Sequence, residues 1–131
     1  MMRLQLALNV SNLERAVAYY SRLFGVAPHK RKPGYANFAI DDPALKLVLF
    51  EKPEAKERLN HLGVEVFDEA SLDASIDRVQ SSDLAATRRS TSVCCHAEQD
   101  KIWSVAPDGE RWEFYRIVDD APERKSTACC A

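Results

Sequence analysis

The sequence lacks a long apolar run and a basic stripe, and we expect no secretory leader. Its net charge is −2, and the short basic run at residues 29–32 ends at Pro33, which is typical of a solvated loop rather than a phosphate-binding patch. No apolar stretch approaches the ~20 residues that cross a bilayer, and the first ten residues show no signal peptide. We therefore expect a cytoplasmic protein that binds neither nucleic acid nor membrane.

Cysteine is scarce, and its placement is unusual. The four cysteines form two adjacent pairs, Cys94–Cys95 and Cys129–Cys130. A secreted disulfide framework spreads its cysteines along the chain. A disulfide between neighbours closes almost no loop and therefore stabilises little. We expect free thiols, of which the first pair lies in a polar segment.

The composition that remains is that of an ordinary folded domain. Hydrophobic residues make up 46% of the chain and charged residues 29%, which excludes a disordered protein. The length of 131 residues suits one domain. We predict that domain at residues 1–118, followed by a flexible polar tail at residues 119–131.

A weak internal repeat divides this domain into two modules, at about 3–52 and about 59–118. Each module opens with a strand in which apolar and polar residues alternate, at residues 4–10 and 60–66. Period two places successive side chains on opposite faces of a sheet. Each strand is followed by a helix and then by further strands. The pattern predicts the order β-α-β-β, with or without one more short strand, stated twice.

Periodicity and turn residues predict the other elements. The first helix follows a capping box of Ser11 and Glu14 and ends at Gly25. Its apolar stripe, at the 3.6-residue period, comprises Leu13, Ala16, Val17, Tyr20, Leu23 and Phe24. The buried face of the second helix comprises Leu72, Ile76 and Val79. Strands are predicted at residues 35–40, 45–51, 85–90, 100–106 and 111–117, with a hairpin turn at Asp108–Gly109.

Polar residues occupy matching positions in the first strand of each module. Gln5 and His61 lie 56 residues apart, and both belong to the strand face that points away from the following helix. That face must look into a cavity or onto a second sheet. A polar residue at the matching position in both modules therefore predicts a shared site.

A third polar residue, Glu113, lies in the last predicted strand. Trp112 and Phe114 flank it and are predicted to point to the opposite face of the strand. Glu113 is therefore predicted to point toward the candidate site. Matching Phe50 to Phe114 pairs Leu49 with Glu113, so the counterpart of the carboxylate is apolar. The site then has three ligands and an open side.

Imidazole, carboxylate and amide oxygen together form a ligand set for a divalent metal such as Fe, Mn, Ni, Co or Zn. Three ligands leave positions for substrate, water or dioxygen. The other interpretation is structural, with His61 a satisfied core histidine, Glu113 a surface carboxylate and Gln5 an edge-strand residue. The matched positions in the two modules favour the metal.

The paired modules, and "PDGERWEFY" near the end of the second, resemble the vicinal-oxygen-chelate superfamily. This group includes glyoxalase I, extradiol dioxygenases and the fosfomycin and bleomycin resistance proteins. The resemblance covers residues 3 to about 118. It implies an α+β fold in which two β-α-β-β-β modules form a cupped mixed sheet around a metal site, whereas function varies within such a fold.

A narrower resemblance is to the carbon–arsenic lyases and the related cadmium-induced proteins. It rests on "LQLALNV", "YYSRLFG", "KRKPGYANFAI", "LNHLGVEV", the first cysteine pair and "GERWEFY". It implies that Fe(II) and dioxygen cleave the C–As bond of trivalent organoarsenicals, such as methylarsenite and aryl arsenicals. The resemblance places the metal on Gln5, His61 and Glu113, and the arsenic on Cys94 and Cys95. His96 stands where an aromatic residue is expected in this family.

Other interpretations stay open. The first cysteine pair can pack, form a labile disulfide, or sequester arsenic, cadmium or zinc without catalysis. Another metalloenzyme activity of the glyoxalase superfamily is a further alternative. The segment between the strands at 85–90 and 100–106 is predicted to be a flexible loop that carries arsenic toward iron. Exposed sheet edges predict a homodimer.

Overall fold

The computed structural model describes residues 2–94 and 97–120, and of Cys94 it describes the backbone alone. The predictions for Cys95 and His96, for the second cysteine pair and for the tail from residue 121 onward lie outside the described residues. Neither helix in the described ranges has the length and apolar character that a membrane span requires.

The order β-α-β-β-β occurs twice, which confirms the predicted pair of modules. The first repeat consists of β1 (Met2–Val10), α1 (Leu13–Phe24), β2 (Lys30–Lys32), β3 (Tyr35–Ile40) and β4 (Leu45–Glu51). The second consists of β5 (Leu59–Val66), α2 (Glu69–Ser81), β6 (Ser90–Cys94), β7 (Ala97–Val105) and β8 (Arg111–Asp119). The extra strand of the first repeat is β2, where the sequence predicted a solvated loop.

The described chain divides into two compact units. The first comprises Arg3–Leu62, and the second comprises Met2 with the described residues from Gly63 onward. The strand order in the first unit is β2-β3-β4-β1-β5, with β1 parallel to β4 and β3 antiparallel to both of its neighbours. In the second unit the order is β5-β8-β7-β6, and β7 is antiparallel to both β8 and β6.

Helix α1 covers one face of the strands of the first unit. Leu13 and Val17 pack with Phe38, Leu47 and Leu49 in a buried cluster. Five of the six residues of the predicted stripe pack in or against this cluster, but Leu23 is 56% exposed. Leu23 lies about 80° from Leu13 around the helix axis, which is the margin of the apolar stripe.

The cap of α1 differs from the prediction. Asn12, rather than Ser11, is the N-cap, and its side chain accepts a hydrogen bond of 2.9 Å from the Arg15 backbone N–H. The Glu51 carboxylate accepts a second from Leu13 N–H at 2.7 Å. The sequence alone did not reveal this cap, because the acceptor Glu51 lies 38 residues after Leu13 in the chain. The helix ends as predicted at Gly25, in the left-handed region with φ 67°.

Helix α2 packs in the second unit as predicted. Leu72, Ile76 and Val79 are buried together with Val66 and Ile102. The predicted turn between β7 and β8 is also present: Gly109 has φ 97° and donates a backbone hydrogen bond of 2.9 Å to Ala106.

Strand β6 corrects the predicted strand at residues 85–90. Those residues are exposed, and Ala86 makes an isolated bridge to Ser104. The regular pairing is instead between Ser90–Cys94 and the first half of β7, so most of the predicted loop is strand. The partner strand decides this boundary, because a polar edge strand has no buried face of its own to specify it.

Arg89 ties the start of β6 to two neighbouring elements. Its guanidinium donates two hydrogen bonds to the Asp100 carboxylate of β7, at 3.0 and 2.6 Å, and a third to Asp73 of α2 at 2.6 Å. These hydrogen bonds hold the pKa of Asp100 below its usual range. The side chain of Asp100 is 11% exposed, whereas that of Asp73 is 51% exposed.

The substitution Asp100→Asn is expected to lower the free energy of unfolding by about 1–3 kcal/mol at neutral pH. Because the folded-state pKa of Asp100 is depressed, the ionised carboxylate stabilises the protein above its unfolded pKa of about 3.9. That contribution is lost as the pH falls through the folded-state pKa, so the variant and the wild type should converge in acid. Urea unfolding at several pH values measures the difference.

The matched control for Asp100→Asn is Asp73→Asn, which removes the more exposed partner of the same guanidinium. We expect a loss of less than about 1 kcal/mol, since exposed ion pairs are weak. Equal losses in the two variants, or a difference that does not change with pH, would contradict the assigned role of the Arg89–Asp100 pair.

Candidate metal centre

The first unit has a buried polar face on the side of β1 away from α1. Leu6, Leu8 and Val10 pack against the α1 cluster, so the alternating residues Gln5 and Asn9 point the other way. Both are buried, with 5% and 8% exposure. The predicted alternation of β1 is therefore confirmed.

The structure brings Gln5 and His61 into contact on this face. Their Nε2 atoms lie 3.1 Å apart, and His61 is 2% exposed. The amide nitrogen of Gln5 can only donate, so the Nε2 of His61 accepts in this arrangement and carries its lone pair toward Gln5. Two residues 56 positions apart in the sequence thus share one hydrogen bond. Their predicted role as metal ligands stays a prediction.

The other ring nitrogen of His61 has a partner of its own. Its Nδ1 lies 2.8 Å from the side-chain oxygen of Asn60. In this orientation the amide oxygen of Asn60 can only accept, so the contact is a hydrogen bond when the ring proton is on Nδ1. Sequence reasoning missed Asn60, because its partner is the adjacent residue and neither strand periodicity nor the repeat marks such a contact.

Glu113 lies in the second unit, on the face of β8 away from α2. The neighbouring Phe114 packs against the α2 cluster, which confirms the predicted direction of the carboxylate. Glu113 is 3% exposed, and its Oε1 lies 2.8 Å from the Nζ of Lys101 on β7. The Nζ of Lys101 also lies 5.4 Å from the ring centre of Trp103 and 5.8 Å from that of Tyr115.

The Lys101–Glu113 ion pair explains how both charges can be buried. An unpaired carboxylate away from water is costly, and the ammonium group offsets its charge. The aromatic faces of Trp103 and Tyr115 add a cation–π attraction for that ammonium. The register of β7 and β8 places Lys101 opposite Tyr115 and Trp103 opposite Glu113, so Lys101 and Glu113 are diagonal neighbours on one face.

The predicted counterpart of Glu113 in the first module is wrong. Leu49 is fully buried in the α1 cluster, on the helix-facing side of β4, whereas Glu113 points away from α2. Phe50 lies on the opposite face of β4 from Leu49, and its ring centre is 6.3 Å from that of His61. Matching the two phenylalanines therefore shifted the alignment by an odd number of residues, which exchanges the faces of a strand.

The donor set fits a divalent metal in its chemistry. His61 offers a buried Nε2 lone pair, and the Gln5 amide presents its oxygen to the same place when it rotates by half a turn, since O and N of an amide are nearly interchangeable in shape. In the second unit, the predicted ligand Glu113 is a buried carboxylate. No cluster of three His, Cys, Asp or Glu side chains occurs in the described ranges, but the trio contains two residues of these types.

Cys94 lies at the end of β6, paired with Ala97 at the start of β7. Glu113 is paired with Trp103 of the same strand β7. Six residues separate Ala97 from Trp103, which corresponds to about 20 Å along a strand. The backbone position of Cys94 is therefore remote from that of Glu113 within the second unit.

Comparison with known proteins decides the family. The model of the Glyoxalase/Bleomycin resistance protein/Dioxygenase superfamily matches residues 4–114. The chain belongs to this superfamily. The predicted α+β class of fold with paired modules is thereby confirmed.

Two curated relatives are similar over most of the chain. The trivalent organoarsenical cleaving enzyme of Thermomonospora curvata is 48% identical over 134 aligned residues, which cover 99% of this chain and 89% of that protein. The cadmium-induced protein CadI of Mycobacterium tuberculosis is 53% identical over 121 residues, or 92% of this chain and 80% of CadI.

A solved structure supports the fold alone. The Mn(II)-bound glyoxalase from Novosphingobium aromaticivorans superposes with a TM-score of 0.65 at 16% sequence identity. The match covers 97% of this chain and 44% of that chain. The bound manganese is a property of that protein.

Proposed function

We propose that this protein is an iron-dependent dioxygenase that cleaves the C–As bond of trivalent organoarsenicals. The observation that carries the substrate class is the 48% identity, over 99% of the chain, to an organoarsenical cleaving enzyme. The buried contact between Gln5 and His61 supports the metal. Methylarsenite and aryl arsenicals are the proposed substrates.

Gln5, His61 and Glu113 are the proposed ligands of Fe(II). His61 offers a neutral nitrogen, Glu113 a charge that offsets part of the metal's own, and Gln5 an amide oxygen. Bound Fe(II) would supply the redox chemistry that lets dioxygen attack the C–As bond. Lys101 would hold the Glu113 carboxylate in its buried position through their 2.8 Å ion pair.

Cys94 and Cys95 are the proposed ligands of arsenic. A trivalent arsenical with one organic group has two exchangeable oxygen ligands, and two adjacent thiolates replace both while the As–C bond stays intact. Arsenic(III) is a soft centre, and soft thiolates select such centres. Because thiolate is the binding form, binding is expected to strengthen as the pH rises toward the thiol pKa.

The overall reaction balances without any reductant. Methylarsenite, CH3As(OH)2, and one O2 contain the atoms of arsenous acid, As(OH)3, and formaldehyde, CH2O. The methyl carbon is oxidised and dioxygen is reduced, while arsenic stays trivalent. Proximity and orientation are the contributions of the protein. Within the second unit the backbone of Cys94 is offset from that of Glu113 by about 20 Å along β7.

The test is an anaerobic loading experiment. Protein is loaded with Fe(II), mixed with methylarsenite and exposed to oxygen, and the arsenic species are separated by chromatography with elemental detection. We expect arsenite to form with an equal uptake of O2. Parallel loading with Mn(II), Co(II), Ni(II) or Zn(II) identifies the active metal. Bound methylarsenite that is never demethylated with any of these metals would overturn the proposal.

A second candidate function is cadmium or arsenite binding without catalysis, favoured by the 53% identity to CadI. In that case the cysteines hold the soft ion and no O2 is consumed. Titration with Cd(II) would then show saturable binding that depends on Cys94 and Cys95, and methylarsenite would stay intact in the oxygen experiment. If the protein has another metalloenzyme activity of the superfamily, we expect the cysteines to bind neither cadmium nor arsenite.

A further inference from the structure

A chain of four side-chain and backbone groups leads from His61 to the start of β5. His61 Nδ1 lies 2.8 Å from the Oδ1 of Asn60. The Nδ2 of Asn60 donates to the Oδ1 of Asn9 at 2.9 Å. The Nδ2 of Asn9 donates to the backbone oxygen of Glu57 at 3.0 Å. All of these residues belong to the first compact unit.

The direction of this chain is set at its far end. A backbone carbonyl can only accept, so the atom of Asn9 that faces Glu57 must be its NH2 group. The oxygen of Asn9 then faces Asn60, which must present its own NH2 group there. The oxygen of Asn60 consequently faces His61, and only an Nδ1–H can donate to it. Each link leaves a single assignment for the next.

The reverse assignment fails at the same carbonyl. If His61 carried its proton on Nε2, its Nδ1 would need a donor, and the Asn60 amide would have to turn. Asn9 would have to turn with it and would place its oxygen against that of Glu57. Asn9 is 8% exposed and its contact with Glu57 is part-buried, so setting two acceptors against each other there is costly.

Gln5 cannot make this choice by itself. Its amide donates to an unprotonated Nε2 in one orientation and accepts from a protonated Nε2 in the other. The contact between Gln5 and His61 is therefore compatible with both tautomers. The contact between Nδ1 and the Asn60 oxygen is a hydrogen bond in only one of them.

We propose that Asn60, held by Asn9 and the carbonyl of Glu57, is a positioning residue that keeps the proton of His61 on Nδ1 and its Nε2 lone pair available to a metal. The inference rests on the proposed function for the metal, but the tautomer exists in the metal-free protein and is measurable there. A hydrogen-bond partner on the second ring nitrogen commonly fixes the orientation and basicity of a ligating histidine.

The test combines NMR of the metal-free protein with metal titration. The chain contains three histidines, so ¹⁵N-histidine labelling and two-bond ¹H–¹⁵N correlation at a pH where the ring is neutral report the tautomer of His61, assigned with His61→Ala. The variants are Asn60→Leu, which removes the acceptor, and Asn60→Asp, which keeps an acceptor beside Nδ1. Co(II) and Fe(II) are titrated anaerobically into all three proteins.

In the wild type and in Asn60→Asp we expect the Nδ1–H tautomer. In Asn60→Leu we expect a shift toward Nε2–H, with metal affinity weaker by about 10–100-fold. An Nε2–H tautomer in the wild type, or an unchanged tautomer in a folded Asn60→Leu variant, would overturn the inference. If Asn60→Leu does not fold, loss of Nδ1–H in the folded Asn60→Asp protein overturns it, and its retention supports it.

Failure of the proposed function gives a different pattern. A wild type that keeps the Nδ1–H tautomer but binds neither Co(II) nor Fe(II) would refute the metal while the tautomer assignment stands. The two conclusions are therefore separable in one set of samples.

Discussion

Replacing His61 by Ala is expected to abolish Fe(II) binding and organoarsenical cleavage together. His61 offers a buried Nε2 lone pair beside Gln5, and no other described histidine is buried. Loss of a ligand should weaken Fe(II) binding by more than the ~100-fold that loss of a supporting partner produces. Anaerobic titration with Fe(II), followed by arsenic speciation after exposure to oxygen, measures both quantities.

The matched control is His29→Ala, which removes an exposed imidazole from the first unit and should leave iron binding and turnover unchanged. The variant Gln5→His tests the same centre by strengthening it. It converts the three proposed ligands into two imidazoles and a carboxylate, which is a common arrangement for Fe(II). We expect this variant to keep iron, and Gln5→Leu to lose it. Full iron binding in His61→Ala would exclude the assigned centre.

Glu113 needs a different design because of its buried partner. Glu113→Leu alone leaves the ammonium of Lys101 unpaired and should destabilise the fold by about 3–5 kcal/mol. The double variant with Lys101→Met removes both charges and should recover most of that stability. We expect the double variant to be folded and unable to bind Fe(II), which separates the role of the carboxylate in metal binding from its role in the fold.

Replacing Cys94 or Cys95 by Ser is expected to reduce turnover of methylarsenite to background while leaving Fe(II) bound. A single thiolate replaces one of the two oxygen ligands of arsenic, and a hydroxyl is a much poorer ligand for a soft centre. We expect arsenical binding to weaken by at least about 100-fold, which corresponds to the loss of one strong ligand. Titration calorimetry with methylarsenite and arsenic speciation give the two readouts.

The control with the same chemistry lies in the other cysteine pair. Cys129→Ser combined with Cys130→Ser should leave turnover unchanged. Because Cys94 and Glu113 are offset along β7, arsenical binding should not require iron, so His61→Ala should bind methylarsenite as the wild type does. Retained turnover in either Cys94→Ser or Cys95→Ser would eliminate the proposed capture of arsenic by this pair.

Much of the fold could be predicted because it is encoded locally. Strict alternation marked β1, the apolar stripe of Leu72, Ile76 and Val79 marked the buried face of α2, and Asp108–Gly109 marked the turn before β8. The candidate ligands Gln5 and His61 were found because the same alternation occurs twice at one spacing. Each of these signals rests on a preference of the chain that does not need a distant partner.

Three features could not be predicted, and each depends on a partner that is distant or irregular. Strand β6 begins at Ser90 because β7 pairs with it there, although the residues before it have similar strand character. The cap of α1 uses Glu51, which is 38 residues away. The wrong match at Leu49 arose because an alignment of two similar segments does not show which face of a strand meets the helix.

The sequence by itself determined the two modules, the faces of their strands and the types of donor that could hold a metal, because periodicity and side-chain chemistry are local properties. Only the tertiary structure decided that Gln5 meets His61, that Lys101 neutralises Glu113, and that a carbonyl near the start of β5 orients His61 through two asparagines. These contacts depend on distances of about 3 Å that only the folded chain creates. The direction of the hydrogen bonds through the two asparagines follows from the Glu57 carbonyl, which can only accept.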